Sequence, residues 1–166
     1  MYIKNIETGL ITFQEGTYLE LSKSFRDQHI EATQKEIDAY LLQEAKNSKI
    51  AEIQTVKEID LYLNVSYNNK DFISSEKAVS NMTGAIILDQ DSYNWLDAYG
   101  NSVTMTVNDL KSLVGIIATQ RSLVYNKEAT KIKEINEAQT IEEVNLIDWN
   151  LSLAFSPAFN SGVIDS

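Results

Sequence analysis

The chain has 166 residues, enough for one domain of ordinary size or for a small domain with extensions. Its formal net charge is −10, and its 14 lysine and arginine residues are scattered. Because phosphate backbones repel such a chain, we expect no nucleic-acid partner. The absence of cysteine excludes a disulfide framework and a thiolate metal site. The longest apolar stretch, Leu113–Ala118, is far shorter than a membrane-spanning helix, so we expect no membrane insertion.

Short runs of strand-forming residues occupy the first part of the chain. They are Tyr2–Asn5, Leu10–Phe13 and Tyr18–Leu21, and glycine-containing turns separate them. This pattern predicts a small β-meander within residues 1–32. Because such a sheet is barely stable alone, we expect it to pack on another element.

Two long helices are predicted, and each begins with a capping box. The boxes are Thr33-Gln-Lys-Glu36 and Thr106-Val-Asn-Asp109, the second with aspartate in place of glutamate. The helices extend over about 33–63 and 107–138. Apolar side chains recur on one stripe of each helix: Leu42, Ala45, Ile53, Val56, Ile59 and Leu63 on the first, and Leu110, Leu113, Val114, Ile117, Val124, Ile132 and Ile135 on the second.

The two helices are separated by enough chain to fold back as an antiparallel pair. Charged residues interrupt the stripes at Lys49, Arg121 and Glu128. In one interpretation, the stripes only bury each other. In the other, they form a coiled-coil stalk that also oligomerises, and the charged positions give polar layers in its seam. The sequence leaves both interpretations open.

A small module connects the helices. Alternation on both sides of an Asn-Asn pair predicts a β-hairpin over Val65–Ile73. A helix is predicted over about 74–88, and a strand over 102–106 after a polar and aromatic loop. The capping box Thr140-Ile-Glu-Glu143 begins a short helix that ends near Trp149. Together these elements predict an α+β fold with an irregular C-terminal tail.

Residue types suited to catalysis are sparse in this chain. His29 is the one histidine, and no cysteine or nucleophile elbow accompanies it. The acidic segment Asp89–Gly100 resembles a calcium loop only in part, because Gly100 stands where the loop needs an acidic ligand. No phosphate-binding or dinucleotide-binding motif is present. We therefore predict no catalytic residues, no metal site and no cofactor.

Three aromatic residues between the hairpin and the second long helix are candidate binding residues. Tyr93, Trp95 and Tyr99 lie in the polar segment before residue 102, where rings could stack on a sugar or contact a protein partner. Burial in a core or an interface is the ordinary explanation for such rings. A second candidate is the apolar tail, residues 150–166, where Phe155, Pro157 and Phe159 could dock onto a surface.

A family resemblance is carried by an ordered succession of motifs over residues 64–149. These are Val65-Ser-Tyr-Asn-Asn-Lys-Asp-Phe-Ile-Ser-Ser-Glu76, Ser80-Asn-Met-Thr-Gly-Ala85, Trp95, Val103-Thr-Met-Thr-Val-Asn-Asp-Leu110 and Ile132-Lys-Glu-Ile-Asn-Glu-Ala-Gln-Thr-Ile-Glu-Glu-Val-Asn-Leu-Ile-Asp-Trp149. The chain resembles the DUF4376 family of phage and prophage proteins associated with tail fibres. The resemblance implies a role in the virion tail or in its assembly, and it brings no catalytic residues.

The sequence and the resemblance together predict four segments. They are a β-rich segment (1–32), a long helix or stalk (33–63), a DUF4376-like domain (64–149) and a docking tail (150–166). The function expected is a non-enzymatic component of the phage tail or an assembly chaperone for its fibre, found in the virion tail or in the host cytoplasm. The alternative is a host-glycan-binding module. We expect a tail or tail-fibre protein as partner, and a homo-oligomer, with a trimer favoured.

Overall fold

The computed structural model describes residues 1–149 and confirms the α+β class. The predicted docking residues Phe155, Pro157 and Phe159 lie outside the described residues. The described strands are β1 (Tyr2–Asn5), β2 (Ile11–Phe13), β3 (His29–Glu31), β4 (Val65–Tyr67), β5 (Lys70–Phe72), β6 (Tyr93–Leu96) and β7 (Ser102–Met105). The helices are α1 (Lys23–Arg26), α2 (Gln34–Leu61), α3 (Glu76–Leu88), α4 (Val107–Glu137) and α5 (Ile141–Leu146).

The chain divides into two compact units. Unit 1 comprises Met1–Ala51 and Glu134–Ile147. Unit 2 comprises Glu52–Lys133 and, among the described residues, Asp148 and Trp149. No helix within residues 1–149 is long and apolar enough to cross a membrane.

Unit 1 contains an antiparallel sheet in which β1 lies between β2 and β3. Ile3, on the central strand, is buried. The third strand predicted from the sequence, Tyr18–Leu21, is wrong: Tyr18–Glu20 forms a 3₁₀ helix instead. A local hydrogen bond contributes to this, because the Glu20 carboxylate accepts from the Thr17 backbone N–H at 2.7 Å and closes a turn there.

The capping box predicted at the start of α2 is confirmed. Glu36 Oε2 accepts from the Thr33 backbone N–H at 2.9 Å, and Thr33 Oγ1 accepts from the Glu36 N–H at 3.4 Å. Lys4 Nζ from β1 donates to Glu36 Oε1 at 2.6 Å, which ties the sheet to the helix. The Lys4 hydrogen bond, followed by those from Thr33, lowers the pKa of Glu36 to about 2.

The core of unit 2 lies beneath two hairpins and α3. The β4–β5 hairpin forms as predicted, and Asn68 and Asn69 take the left-handed conformation, with φ of 50° and 57°. Ser75 caps α3 by accepting from the Ala78 N–H. The buried cluster comprises Val65, Phe72, Met82, Ala85, Met105, Leu110, Leu113 and Ile117.

The two remaining capping boxes are also present. Asp109 Oδ2 accepts from the Thr106 N–H at 2.8 Å, and Thr106 Oγ1 accepts from the Asp109 N–H at 3.1 Å. The box of Thr140 and Glu143 precedes α5, which ends three residues before Trp149. The favourable spacing of Thr and acid in the sequence therefore identifies the start of three of the five α-helices described within residues 1–149.

Within unit 2, the end of α2 runs antiparallel to α4. Lys57 Nζ bonds Glu128 Oε1 at 3.2 Å, and Asp60 O accepts from Gln120 Nε2 at 3.2 Å. Residue numbers therefore rise along α2 while those of the partners fall along α4. The stripe predicted on α4 is largely buried. The stripe predicted on α2 is wrong at its end, because Ile59 and Leu63 are exposed whereas Asp60 and Leu61 are buried.

Candidate functional site

The three candidate aromatic residues lie on the β6–β7 hairpin of unit 2. The predicted loop before residue 102 is wrong in part, since Tyr93 and Trp95 belong to β6 and pair with Met105 and Val103 of β7. Both side chains are half-buried and pack against the core cluster of unit 2. They lie on one face because residues two apart in a strand point the same way.

Tyr93 is further fixed by its hydroxyl group. Its Oη donates to Ala85 O at the end of α3 and accepts from the Gln90 N–H at 3.1 Å. These bonds anchor β6 to the end of α3, where Asp89 turns the chain with a positive φ of 48°. The geometry supports a structural role for Tyr93, because its hydroxyl both donates and accepts a hydrogen bond within the fold.

Tyr99 is separated from the other two rings and is 75% exposed. It lies on the turn between β6 and β7, and its Oη donates to Asp71 Oδ2 at 3.0 Å. The carboxylate of Asp71 raises the pKa of Tyr99 through this bond. Within residues 1–149, no ring contact joins Tyr99 to Tyr93 or Trp95, so the three do not form one stacking platform.

The turn that carries Tyr99 is organised by Asp97. Asp97 Oδ1 accepts from the backbone N–H groups of Tyr99 at 2.9 Å and Asn101 at 2.8 Å, and Asn101 Nδ2 donates to Oδ2 at 3.0 Å. These bonds, those from Asn101 foremost, lower the pKa of Asp97. Gly100 follows with φ of +83°, which a side chain would strain. The acidic loop thus binds its own backbone, and residues 1–149 contain no group of three potential metal ligands.

A polar cluster crosses the seam between α2 and α4. Gln120 Nε2 donates to the carbonyls of Asp60 at 3.2 Å and Leu63 at 3.4 Å. Carbonyl groups at the end of a helix need such donors, because no following helical turn supplies an N–H group. Ser74 Oγ donates to the same Leu63 carbonyl at 2.8 Å, and Arg121 donates to Ser74 O at 2.7 Å. The charged interruption at Arg121 therefore serves a contact inside the unit.

Trp149, the last described residue, also bonds to the end of α2. The indole Nε1 donates to Asp60 Oδ2 at 2.7 Å, and Lys127 Nζ lies 4.4 Å from the ring centroid. Both Trp149 and Asp60 are buried. The arrangement fixes residue 149, and hence the point at which the chain continues beyond the described residues.

A family model matches the chain over this region. The family is DUF4376, a domain of unknown function, and its model covers residues 42–149, more than half of the chain. The chain belongs to the DUF4376 family. The match ends at Trp149 and begins within α2, earlier than the 64–149 stretch that carries the resemblance in sequence. Comparison with curated proteins and with solved structures gives no match.

The DUF4376 domain exposes apolar side chains beside the seam. Ile59 lies in the last turn of α2 and Leu63 two residues beyond its end, and Ile116 and Leu123 lie one turn to either side of Gln120 on α4. Because Gln120 bonds the end of α2, these four residues flank the same junction. We call this set the seam surface. Apolar side chains gathered beside a rigid helix junction can bind a protein partner.

Two seam residues were not singled out from the sequence, although a signal was present. Asp60 lies seven residues after Ile53, and Gln120 lies three after Ile117 and four before Val124, so both fall on the predicted stripes. A polar residue at such a position indicates either a polar layer in a coiled-coil seam or a buried side chain that is hydrogen-bonded inside the fold. Asp60 and Gln120 are of the second kind.

His29, the remaining candidate for chemistry, is half-buried on β3. Its Nδ1 donates to Phe25 O at 2.9 Å, and its Nε2 accepts from Asn5 Nδ2 at 3.3 Å. The ring also stacks on Phe25, with centroids 4.0 Å apart. Both nitrogens are therefore engaged in holding α1 and β1 against β3.

Proposed function

We propose that this DUF4376 protein is associated with a phage tail fibre, as a structural component of the tail or as an assembly chaperone for the fibre. It acts by binding protein, in the virion tail or in the host cytoplasm during assembly. The family supports this proposal together with the tail-fibre setting that the sequence resemblance implies. The single structural observation in its favour is the seam surface, where Ile59 and Leu123 are 62% and 51% exposed.

Purified virions test the proposal and separate its two versions. A structural component is present in virions at a fixed ratio to other tail proteins by mass spectrometry. A chaperone is present in infected cells, bound to a fibre protein, and absent from virions. If the protein forms no complex with any tail protein in infected cells, the proposal is wrong.

We further propose that the protein self-associates through its long helices, with a trimer as the favoured state. Leu123→Asp, which places a charge on the seam surface, is expected to lower the mass measured by sedimentation equilibrium from trimer towards monomer. The fold should persist because Leu123 is half exposed. Ala118→Asp, which adds the same charge at an exposed position on the opposite side of the same helix, is the control. A wild-type monomer at every concentration would contradict self-association and favour the chaperone version.

The alternative function is recognition of a host glycan, and the exposed ring of Tyr99 favours it. A planar ring held by its hydroxyl to Asp71 is prepared to stack on a sugar face. Tyr99→Ala should abolish binding on a glycan array, while Tyr99→Phe, which retains the ring, should preserve most of it. An array without signal for the wild-type protein would remove this alternative and leave the protein-binding proposal untouched.

A further inference from the structure

The strand β2 forms an edge of the sheet in unit 1, and its outer backbone groups make no hydrogen bond to any described residue. Met1 and Gln14, which lie next to the ends of β1 and β2, exchange both of their backbone hydrogen bonds. At the other end of the pair, Asn5 N–H donates to Leu10 O at 2.9 Å. In an antiparallel ladder, bonded and non-bonded pairs alternate, so Ile3 and Thr12 form the next bonded pair. The backbone N–H and C=O groups of Ile11 and Phe13 therefore point away from β1.

The two edges of this sheet differ in how they are covered. At β3, the Tyr18 hydroxyl reaches the outward carbonyl of His29 and so blocks that edge. Within residues 1–149, no such bond reaches the backbone of Ile11 or Phe13. Phe13 is also exposed, with its ring edge against Tyr2 at 5.4 Å between centroids. An edge of this kind is a template for a further strand.

We infer that β2 pairs with β2 of a second copy of this chain, antiparallel and symmetric about Thr12. In this register, Ile11 of each copy lies opposite Phe13 of the other, and each such pair exchanges both backbone bonds. Thr12 then faces its own counterpart in a non-bonded pair. The same strand thus supplies both sides of a closed twofold contact, which joins two sheets into one.

Side chains and charge also fit a second copy. Ile11 and Phe13 lie on one face with Tyr2, so the contact gathers apolar side chains from both copies there. No charged residue lies within β2, although the chain as a whole carries a net charge of −10.

Disulfide trapping provides the first test, because the wild-type chain contains no cysteine. In the proposed register, the two Thr12 Cα atoms are about 4.5 Å apart, a distance that a disulfide spans. Full-length Thr12→Cys should become mainly a covalent dimer under mild oxidation. Ser24→Cys, on an exposed face of α1, should stay mainly monomeric under the same conditions. Equal cross-linking of the two variants would overturn the inference.

Sedimentation velocity of a matched pair provides the second test. Thr12→Glu places like charges directly opposite each other, whereas Thr12→Gln has the same size without charge. Because β2 has only three residues, we expect the contact to bury less than the roughly 800 Å² per partner of a standard interface, and the measurement therefore needs high protein concentration. Thr12→Glu should halve the mass found for Thr12→Gln, whatever assembly the helices form. Equal masses, with circular dichroism unchanged, would also overturn the inference.

Discussion

Phe72→Ala is expected to lower the free energy of unfolding of unit 2 by about 3–5 kcal/mol, the usual cost of deleting a buried phenyl ring. Phe72 is 1% exposed and belongs to the cluster that holds Val65, Met82 and Leu113. The loss combines the transfer free energy of the ring with the cavity that it leaves. Urea unfolding followed by tryptophan fluorescence measures it, since Trp95 and Trp149 both belong to unit 2.

Ile73 supplies the matched control from the next position in the chain. Its side chain is 49% exposed, so Ile73→Ala should change the free energy of unfolding by about 0.5 kcal/mol or less. The contrast between two adjacent residues tests the register of the β4–β5 hairpin, because a shift by one residue would exchange their faces. Comparable losses in the two variants would contradict the register described here.

Local signals in the sequence predicted much of the fold. A Thr followed three residues later by an acid marked the start of α2, α4 and α5, because the two side chains satisfy backbone N–H groups that no helical turn can reach. The Asn68-Asn69 pair marked a hairpin because asparagine tolerates positive φ. In each case, the deciding interaction joins residues at most four positions apart, and the residues alone specify it.

Predictions that depended on distant contacts were less accurate. Tyr18–Leu21 has the composition of a strand, yet the Tyr18 hydroxyl bonds backbone carbonyls at Arg26 and His29 and holds the segment in a different role. The third strand is instead His29–Glu31, whose pairing with β1 has no local marker. The loop predicted before residue 102 was wrong in part for a similar reason, since Tyr93–Leu96 is a strand only through its partner β7.

The seam of unit 2 illustrates the same limit at the candidate site. Helical periodicity placed Ile59 and Leu63 on the buried stripe, but the true burial is rotated towards Asp60 and Leu61. The rotation is stabilised by hydrogen bonds from Gln120 and Trp149, which lie 60 and 89 residues away along the chain. Periodicity gives a face to within about one residue position, and long-range polar contacts decide which residue faces inward.

Trp149 lies outside the core cluster of unit 2, yet its loss is expected to be costly. Trp149→Ala should lower the free energy of unfolding by about 3–5 kcal/mol, since it deletes a buried indole and its contact with Lys127. Ile87→Ala, at a position of unit 2 that is 77% exposed, should cost about 0.5 kcal/mol or less. Far-UV circular dichroism during urea unfolding measures all variants, because the substitution removes a fluorophore.

Trp149→Phe separates the hydrogen bond from the packing. It keeps most of the ring but leaves Asp60 Oδ2 without its indole donor, while Oδ1 already has no partner among residues 1–149. A buried acceptor left unsatisfied costs about 1–3 kcal/mol, which is the loss expected. Adding Asp60→Leu to Trp149→Phe should recover most of that loss, because an apolar pair leaves no unsatisfied group. If the double variant is no more stable than Trp149→Phe alone, the hydrogen bond is not what fixes Trp149, and packing against α2 and α4 must account for its burial.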